Sequence, residues 1–188
     1  WNEKTSNYTL DNTLNYNKTF GKHRIDATAL FSIFEQYDEY MQIQVEDLAY
    51  RSLWHNTGTG ATIKAYNSDL IESSLASYMG RVNYTFNDKY LLTVTGRYDG
   101  ASQLATDNKW AFFPSAALGW RLSEESFIEN LDVFSNLKLR VSYGEVGNNA
   151  SISPYATQSN IYQTFYDFDG SAANGYSIDA LSNQGLVW

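Results

Sequence analysis

The sequence contains no cysteine. That excludes a disulfide framework, a thiolate metal site and a cysteine nucleophile, and it is compatible with an envelope location without requiring one. Histidine is nearly absent as well. His23 and His55 lack any paired ligand spacing, so a metal centre is not expected. No stretch approaches the ~18 consecutive apolar residues of a transmembrane helix. Positive charge is scarce, with 13 Lys and Arg against 21 Asp and Glu and a net charge of −8. Nucleic acid is therefore not an expected partner, since its binding needs clustered basic residues. The first residues, Trp1 to Thr5, are polar and form no signal peptide; if the protein is exported, the 188 residues are expected to be an internal piece or a processed form.

What the chain has in abundance is aromatic side chains. They make up 16% of residues, 15 Tyr and 5 Trp among them, yet the mean hydropathy is −0.43. A transmembrane β-barrel produces that combination, because alternate residues face a wet lumen while Tyr and Trp gather at the bilayer interfaces. The patterning agrees. In residues 90–99, Tyr90, Leu92, Val94, Gly96 and Tyr98 share one face while Leu91, Thr93, Thr95, Arg97 and Asp99 share the other. A period of two is the signature of a strand with two unlike faces.

The same alternation predicts strands over 7–17, 23–40, 73–86, 89–99, 110–122 and 137–146, with long loops over 41–72 and 147–185. Residues 186–188 read as the start of a further strand. Gly21 suits a positive-φ turn and Asn87-Asp88-Lys89 a tight hairpin. Pro114 suggests a bulge, because it removes a ladder donor. Ser123 reads as the N-cap of a one-turn helix. Every second connection is longer than its neighbours, as when barrel hairpins have short periplasmic turns and elaborate outer loops. On that parity 87–89 and 123–136 lie on the periplasmic side and 100–109 outside. The rival arrangement, a soluble glycan-binding β-sandwich, uses the same alternation with its apolar face inward.

Three strings carry a family resemblance: SYMGRVNYTFNDKYLLTVTGRYDGAS, FFPSAALGWRLSEESFI and SNLKLRVSYGEVGNN. In this order they resemble the SusC/RagA family of TonB-dependent outer-membrane transporters of Bacteroidetes. Residues 182–188 are similar to the family's Asn-Pro-x-Leu-x-Trp segment, with Gln184-Gly185 in place of the usual Pro and its neighbour. The resemblance implies an all-β, antiparallel transmembrane barrel of roughly 22 strands, plugged by an N-terminal domain and covered by a SusD-like surface lipoprotein. It implies import of an oligosaccharide or peptide, powered by the TonB-ExbB-ExbD system acting on an N-terminal part outside these residues, in contact with outer-membrane lipid. Neither a plug nor a TonB box is read in this chain, which resembles a slice of barrel wall.

On that reading Arg81, Arg97, Asp99, Arg121, Lys138 and Arg140 face the lumen, and Tyr84, Phe86, Tyr90, Trp110, Trp120 and Tyr143 form an outward girdle. Aromatics on the long loops, Tyr50, Trp54, Tyr66, Tyr155, Tyr162, Tyr166 and Phe168, are expected to contact ligand or partner, since a ring face beside Asn and Asp suits a sugar. Asp38, Glu39, Glu46 and Asp47 form an acidic cluster without EF-hand spacing, and solvated charge is the expectation over a bound cation. No catalytic residue, cofactor or metal is expected. The adjacent carboxylates Glu124-Glu125 and Asp38-Glu39 point apart on a strand and cannot face each other across a sugar.

Overall fold

The computed structural model describes residues 1–50, 52, 55–131 and 133–188. Six strands form one antiparallel sheet in chain order: β1 (Asn2–Phe20), β2 (His23–Leu48), β3 (Gly60–Phe86), β4 (Tyr90–Ala101), β5 (Trp110–Arg121) and β6 (Lys138–Gly144). Each strand pairs with its sequence neighbour, the order that short connections favour. A separate two-stranded sheet, β7 (Asn160–Phe168) with β8 (Ser171–Ala180), follows. A single helical turn, α1 (Ser126–Glu129), lies between β5 and β6.

The turns obey their local chemistry. Gly21 takes φ +58 in the two-residue connection from Phe20 to His23. Asn87 and Asp88 both have positive φ, and the Lys89 amide donates to the Phe86 carbonyl at 3.1 Å. Positive φ at both central positions is what a type I′ turn requires, and Asn and Asp tolerate it better than other residues with side chains.

Several expectations are corrected. The long loop expected over 41–72 is mostly ladder: β2 continues to Leu48 and β3 begins at Gly60, leaving 49–59 as the connection. β1 likewise starts at Asn2, paired with Met41, and not near residue 7. At about 3.3 Å per residue the 26 residues of β2 reach roughly 86 Å, far more than the ~9–11 residues that cross a bilayer. The excess projects into water on both faces, so polarity stops alternating although the hydrogen-bonded ladder continues. The segment expected as loop over 147–185 holds the β7–β8 hairpin, turned by Asp169 and Gly170, both at positive φ. Residues 186–188 form no strand.

Pro114 sits in unbroken register opposite Gly96, without a bulge. Its carbonyl accepts from the Glu145 amide, so its nitrogen also points toward β6, past the end of that strand at Gly144. The missing donor therefore removes no β4–β5 bond. Ser123 is not a cap either. It lies in a 3-10 turn (Leu122–Glu124), and Glu125 occupies the N-cap position of α1, its carbonyl accepting from the Ile128 and Glu129 amides while its side chain makes no cap bond. The loop-length parity also weakens, since the 122–137 connection is longer than 102–109. What does hold is the meander. It places 21–22, 87–89 and 122–137 at one end of the sheet, and 49–59, 102–109 and 145–159 at the other.

Among the described residues no second layer covers the sheet's apolar face. Among the described residues the buried hydrophobic side chains are Ala101, Leu104 and Ala105, all around the β4–β5 loop. Leu14 remains 72% exposed, Val141 65% and Leu118 62%. A soluble chain of this length would bury roughly 70% of its unfolded surface around an interior core. This sheet has its apolar side chains on the outside, which removes the sandwich arrangement.

Candidate functional site

Cross-strand register sorts the apolar face into rows. At the turn end, Phe20, His23, Phe86, Tyr90 and Trp120 are successive partners across five strands. Their ring centroids are 5.5, 4.9, 6.4 and 6.2 Å apart in that order. His23 is thus part of an aromatic row, with its Nδ1 2.6 Å from the Tyr84 hydroxyl. Toward the loop end a second row joins Phe31 to Tyr78 at 5.0 Å, and Trp110 to Tyr78 at 6.1 Å and to Tyr98 at 5.0 Å. Rings paired across strands at these distances attract beyond their buried area.

The spacing of the rows identifies their solvent. Trp110 opens β5 and Trp120 lies one residue before its end. Ten residues at about 3.3 Å, inclined by about 40°, rise about 25 Å, the height of the apolar band between the two girdles of an outer-membrane barrel. Between the rows most outward residues are small or aliphatic, but Tyr16 and Tyr143 share the register level of Val94, so Tyr143, expected in the girdle, belongs to neither row. Gly96 and Gly100 let rings lie flat on the sheet: a Cβ at Gly100 would sit 2.5 Å from the Trp110 indole, and one at Gly96 3.0 Å from the Phe112 ring. The glycines here accommodate the girdle.

The opposite face is polar and bonded across strands. The Arg97 Nε lies 2.7 Å from both Asp99 carboxylate oxygens, and Arg97 Nη2 donates to the Ser77 hydroxyl at 3.1 Å. Ser77 and Asp99 are among the few buried polar residues, at 2% and 7% exposure. Elsewhere Thr93 donates to Asn83 at 2.9 Å, Thr28 to Asn15 at 2.9 Å and Ser32 to Asp11 at 2.5 Å, and the Asn17 amide bonds Asp26. All six residues expected on this face lie on it by register: Arg81 opposite Thr95, Arg121 opposite Lys138, Arg140 opposite Gly119, with Arg97 and Asp99 in the same phase of β4. Arg81 and Arg140 border one hollow of about 470 Å³ with Asn83, Thr93, Thr95 and Ser142.

At the turn end, outside the apolar band, one carboxylate gathers three donors. Glu125 Oε1 accepts from the Trp120 indole at 3.0 Å and the Tyr90 hydroxyl at 2.8 Å, and Lys89 Nζ lies 3.3 Å from Oε2. In the sequence Glu125 is only a carboxylate adjacent to Glu124. Its role needs the register that brings Tyr90 and Trp120 side by side. The hydrogen bonds from Trp120 and then Tyr90 hold its carboxyl below the ordinary value of 4.5. A carboxyl depressed in the folded state stabilises above its unfolded pKa, and that contribution disappears as pH falls through the folded value. In the full-length protein, Glu125→Gln should lower stability at pH 7 and leave wild type and variant closer together near pH 3. Thermal unfolding of both from pH 7 to 3 measures this, and a constant gap would count against it.

The expected recognition aromatics do not converge. Trp54 lies outside the described residues. Tyr50 is exposed in the β2–β3 connection, and Tyr66 is on β3 beyond the apolar band, opposite Ile43. Tyr162, Tyr166 and Phe168 belong to one face of β7, a strand and not a loop. The Tyr166 ring rests over Gly175, where a Cβ would meet it at 2.0 Å. Tyr155, at φ +63, has its hydroxyl accepting from the Glu72 amide at 3.0 Å, a β3 donor past the end of β4. Among the described residues no ring contact joins these aromatics to one another.

The acidic residues of the β1–β3 ribbon are dispersed among local partners. Asp38 accepts from Thr5 at 2.7 Å and Gln36 at 2.6 Å, bonds that lower its pKa. Glu39 faces Lys4 at 3.9 Å, Glu46 faces Lys64 at 3.2 Å, and Asp47 accepts from Thr62. Among the described residues no group of three potential ligands converges on a metal position. Near the chain's end, the Trp188 indole donates to the Lys109 carbonyl at 2.9 Å and packs edge-on against Phe113 at 5.5 Å. The segment resembling Asn-Pro-x-Leu-x-Trp therefore folds back against the base of β5.

A sheet of this construction is a piece of barrel wall, and comparison with known proteins assigns the barrel. The family described as TonB dependent receptor-like, beta-barrel, matches residues 1–184. The chain belongs to that family. It is 35% identical over 98% of its length to TonB-dependent receptor P26 of Formosa agariphila, and 35% identical over 68% of its length to TonB-dependent receptor SusC of Bacteroides thetaiotaomicron. It covers 19% and 13% of those proteins, so it spans about a fifth or less of the relatives it matches. In fold it superposes on a chain of the RagAB peptide transporter with a TM-score of 0.88 at 24% identity, over 99% of this chain and 20% of that one. The family places the segment in an outer membrane, its aromatic rows at the two interfaces. The matched family and these relatives are receptors, not enzymes.

Proposed function

We propose that this segment is part of the wall of an importer that takes oligomeric nutrients, glycan or peptide, through the outer membrane. A SusD-like lipoprotein caps its outer mouth, and the TonB-ExbB-ExbD system powers it through a part of the protein outside these residues. The observation that carries the reading is the two-faced sheet: an uncovered apolar band about 25 Å tall, backed by a bonded polar face that suits a wet lumen. Membership of the TonB-dependent receptor family supports energised transport. The chain's similarity to a relative named SusC, and in fold to a peptide transporter, supports an oligomeric cargo.

In this reading the segment does no covalent chemistry. Its aromatic rows anchor the wall in lipid, and its polar face borders the path. The ends of β2, β3, β7 and β8 stand in water at the outer mouth, where Tyr50, Trp54, Tyr66, Tyr155, Tyr162 and Tyr166 meet cargo or lid. The test is uptake of fluorescently labelled oligosaccharides and peptides by intact cells with and without the full-length gene. Deletion should abolish entry of at least one labelled class, and a protonophore should do the same to wild-type cells. Unchanged uptake of every probe after deletion would falsify the proposal.

A further inference from the structure

We propose that the hollow between Arg81 and Arg140 on the polar face binds an oxyanion, a carboxylate or sulfate group carried on an oligosaccharide. The inference rests on the importer reading and names its cargo class. It starts from an asymmetry in how this face treats its arginines. Arg24 has Asp26 two residues on, with Nε 3.9 Å from the carboxylate, and Arg97 has Asp99 at 2.7 Å. Two residues along a strand is the nearest position on the same face, so these arginines carry their own counter-charge. Arg81 and Arg140 have none: among the described residues no carboxylate lies within 4.0 Å of either. The positions that would supply one are Met79, Asn83, Lys138 and Ser142.

Both guanidinium groups are exposed and border the same hollow of about 470 Å³. Arg81 spends its ε N–H on the Thr95 hydroxyl at 3.3 Å, which fixes the side chain toward β4 and leaves four of its five donors free. Arg140 makes no side-chain bond among the described residues and keeps all five. Such forks match a carboxylate or sulfate two oxygens at a time. In a chain of net charge −8, a cationic hollow without acids attracts anions that the rest of the surface repels.

The surroundings favour a sugar as the carrier. Thr93, Thr95, Ser115 and Ser142 line the hollow with hydroxyls, each able to donate and accept. The Thr93 hydroxyl donates to Asn83 Oδ1, leaving the Asn83 amide N–H groups to donate outward. On the floor of the hollow Ala117 and Gly144 add little or no side chain to this face, and Ala116 and Tyr143, which complete the lining, are in the opposite side-chain phase. A peptide cargo is ordinarily gripped by pockets for alternate side chains, and this floor has none, whereas a rim of paired donors and acceptors suits ring hydroxyls.

The experiment uses the full-length protein in detergent, as wild type, R81Q, R140Q and the double variant. Isothermal titration is run with trigalacturonate, a sulfated trisaccharide, neutral maltotriose, a glutamate-rich tripeptide and a neutral tripeptide, at low and high salt. An acidic sugar should bind at least tenfold more tightly than maltotriose at low salt. Each single substitution should reduce that preference about tenfold, and the double variant should abolish it while maltotriose binding stays unchanged. Variants that bind the acidic sugars like wild type overturn the inference. So does loss of thermal stability with the preference intact, since the arginines would then be neutralised by another part of the same polypeptide. A response confined to the acidic peptide overturns the sugar assignment. If no probe binds and cells lacking the gene still take up every labelled oligomer, the importer reading itself has failed.

Discussion

Arginine in place of Val94 should destabilise the full-length barrel in a bilayer by about 2–4 kcal/mol. Val94 is four residues from Tyr90 and four from Tyr98, so it lies midway between the two aromatic rows. Its cross-strand partners Val82 and Ala116 extend the same apolar level. The side chain is 47% exposed with nothing packed over it, so its environment in the membrane is hydrocarbon. A guanidinium at the midplane has the greatest distance to reach interfacial water, and the cost of a lipid-facing charge falls toward either girdle. Thr93→Arg puts the same group one residue away on the polar face, where it loses the bond to Asn83 but keeps its charge out of hydrocarbon, and it should cost clearly less than Val94→Arg. Denaturant stability in phospholipid vesicles, or the folded fraction on unheated gels, measures both. Equal losses for the two variants would contradict the assignment of faces.

Removing the Arg97 side chain comes second in size. Asp99 is 7% exposed, and the Arg97 guanidinium bonds both its oxygens and the buried Ser77 hydroxyl. Arg97→Ala therefore leaves a largely buried carboxylate without its cation, and hydrogen bonds to charged groups are each worth about 1.5–3 kcal/mol. Arg97→Lys restores the charge but not the planar fork, and should recover only part of the loss. The double variant Arg97→Ala, Asp99→Asn should be more stable than Arg97→Ala alone, because it removes the orphaned charge with its partner. If it is no better, the arginine acts through packing and not through Asp99. Arg97 thus differs from Arg81 and Arg140: it is neutralised and ties the wall together, whereas those two have no carboxylate within 4.0 Å among the described residues and are the ones proposed to meet a ligand.

The fold was legible in the sequence wherever one face of a strand meets hydrocarbon and the other water. Residues 73–99 alternate for that reason, and their two faces can be read without coordinates. The same rule explains what was missed. Above the Phe31–Tyr78 row both faces of β1, β2 and β3 are wet, so residues such as Gln42, Gln44, Asn67 and Ser68 carry no alternation although their backbones pair. The β7–β8 hairpin was overlooked for a similar reason, although Asp169-Gly170 between two aromatic stretches is a strong local turn signal. Glu125 was invisible because its partners Trp120 and Tyr90 meet only across strands.

By itself the sequence determined the class of the protein: antiparallel strands with an apolar and a polar face, two sets of aromatics, no helix to span a membrane and no constellation for catalysis. Local chemistry is enough for that, because a strand's two faces and its turns are set by residues next to one another. Only the tertiary structure decided which side chains share a level, where the ladder ends, and which arginines are matched by acids. Those relations join residues tens of positions apart through inter-strand register, as His23 meets Phe86 and Phe31 meets Tyr78. Register is a cooperative property of the whole sheet.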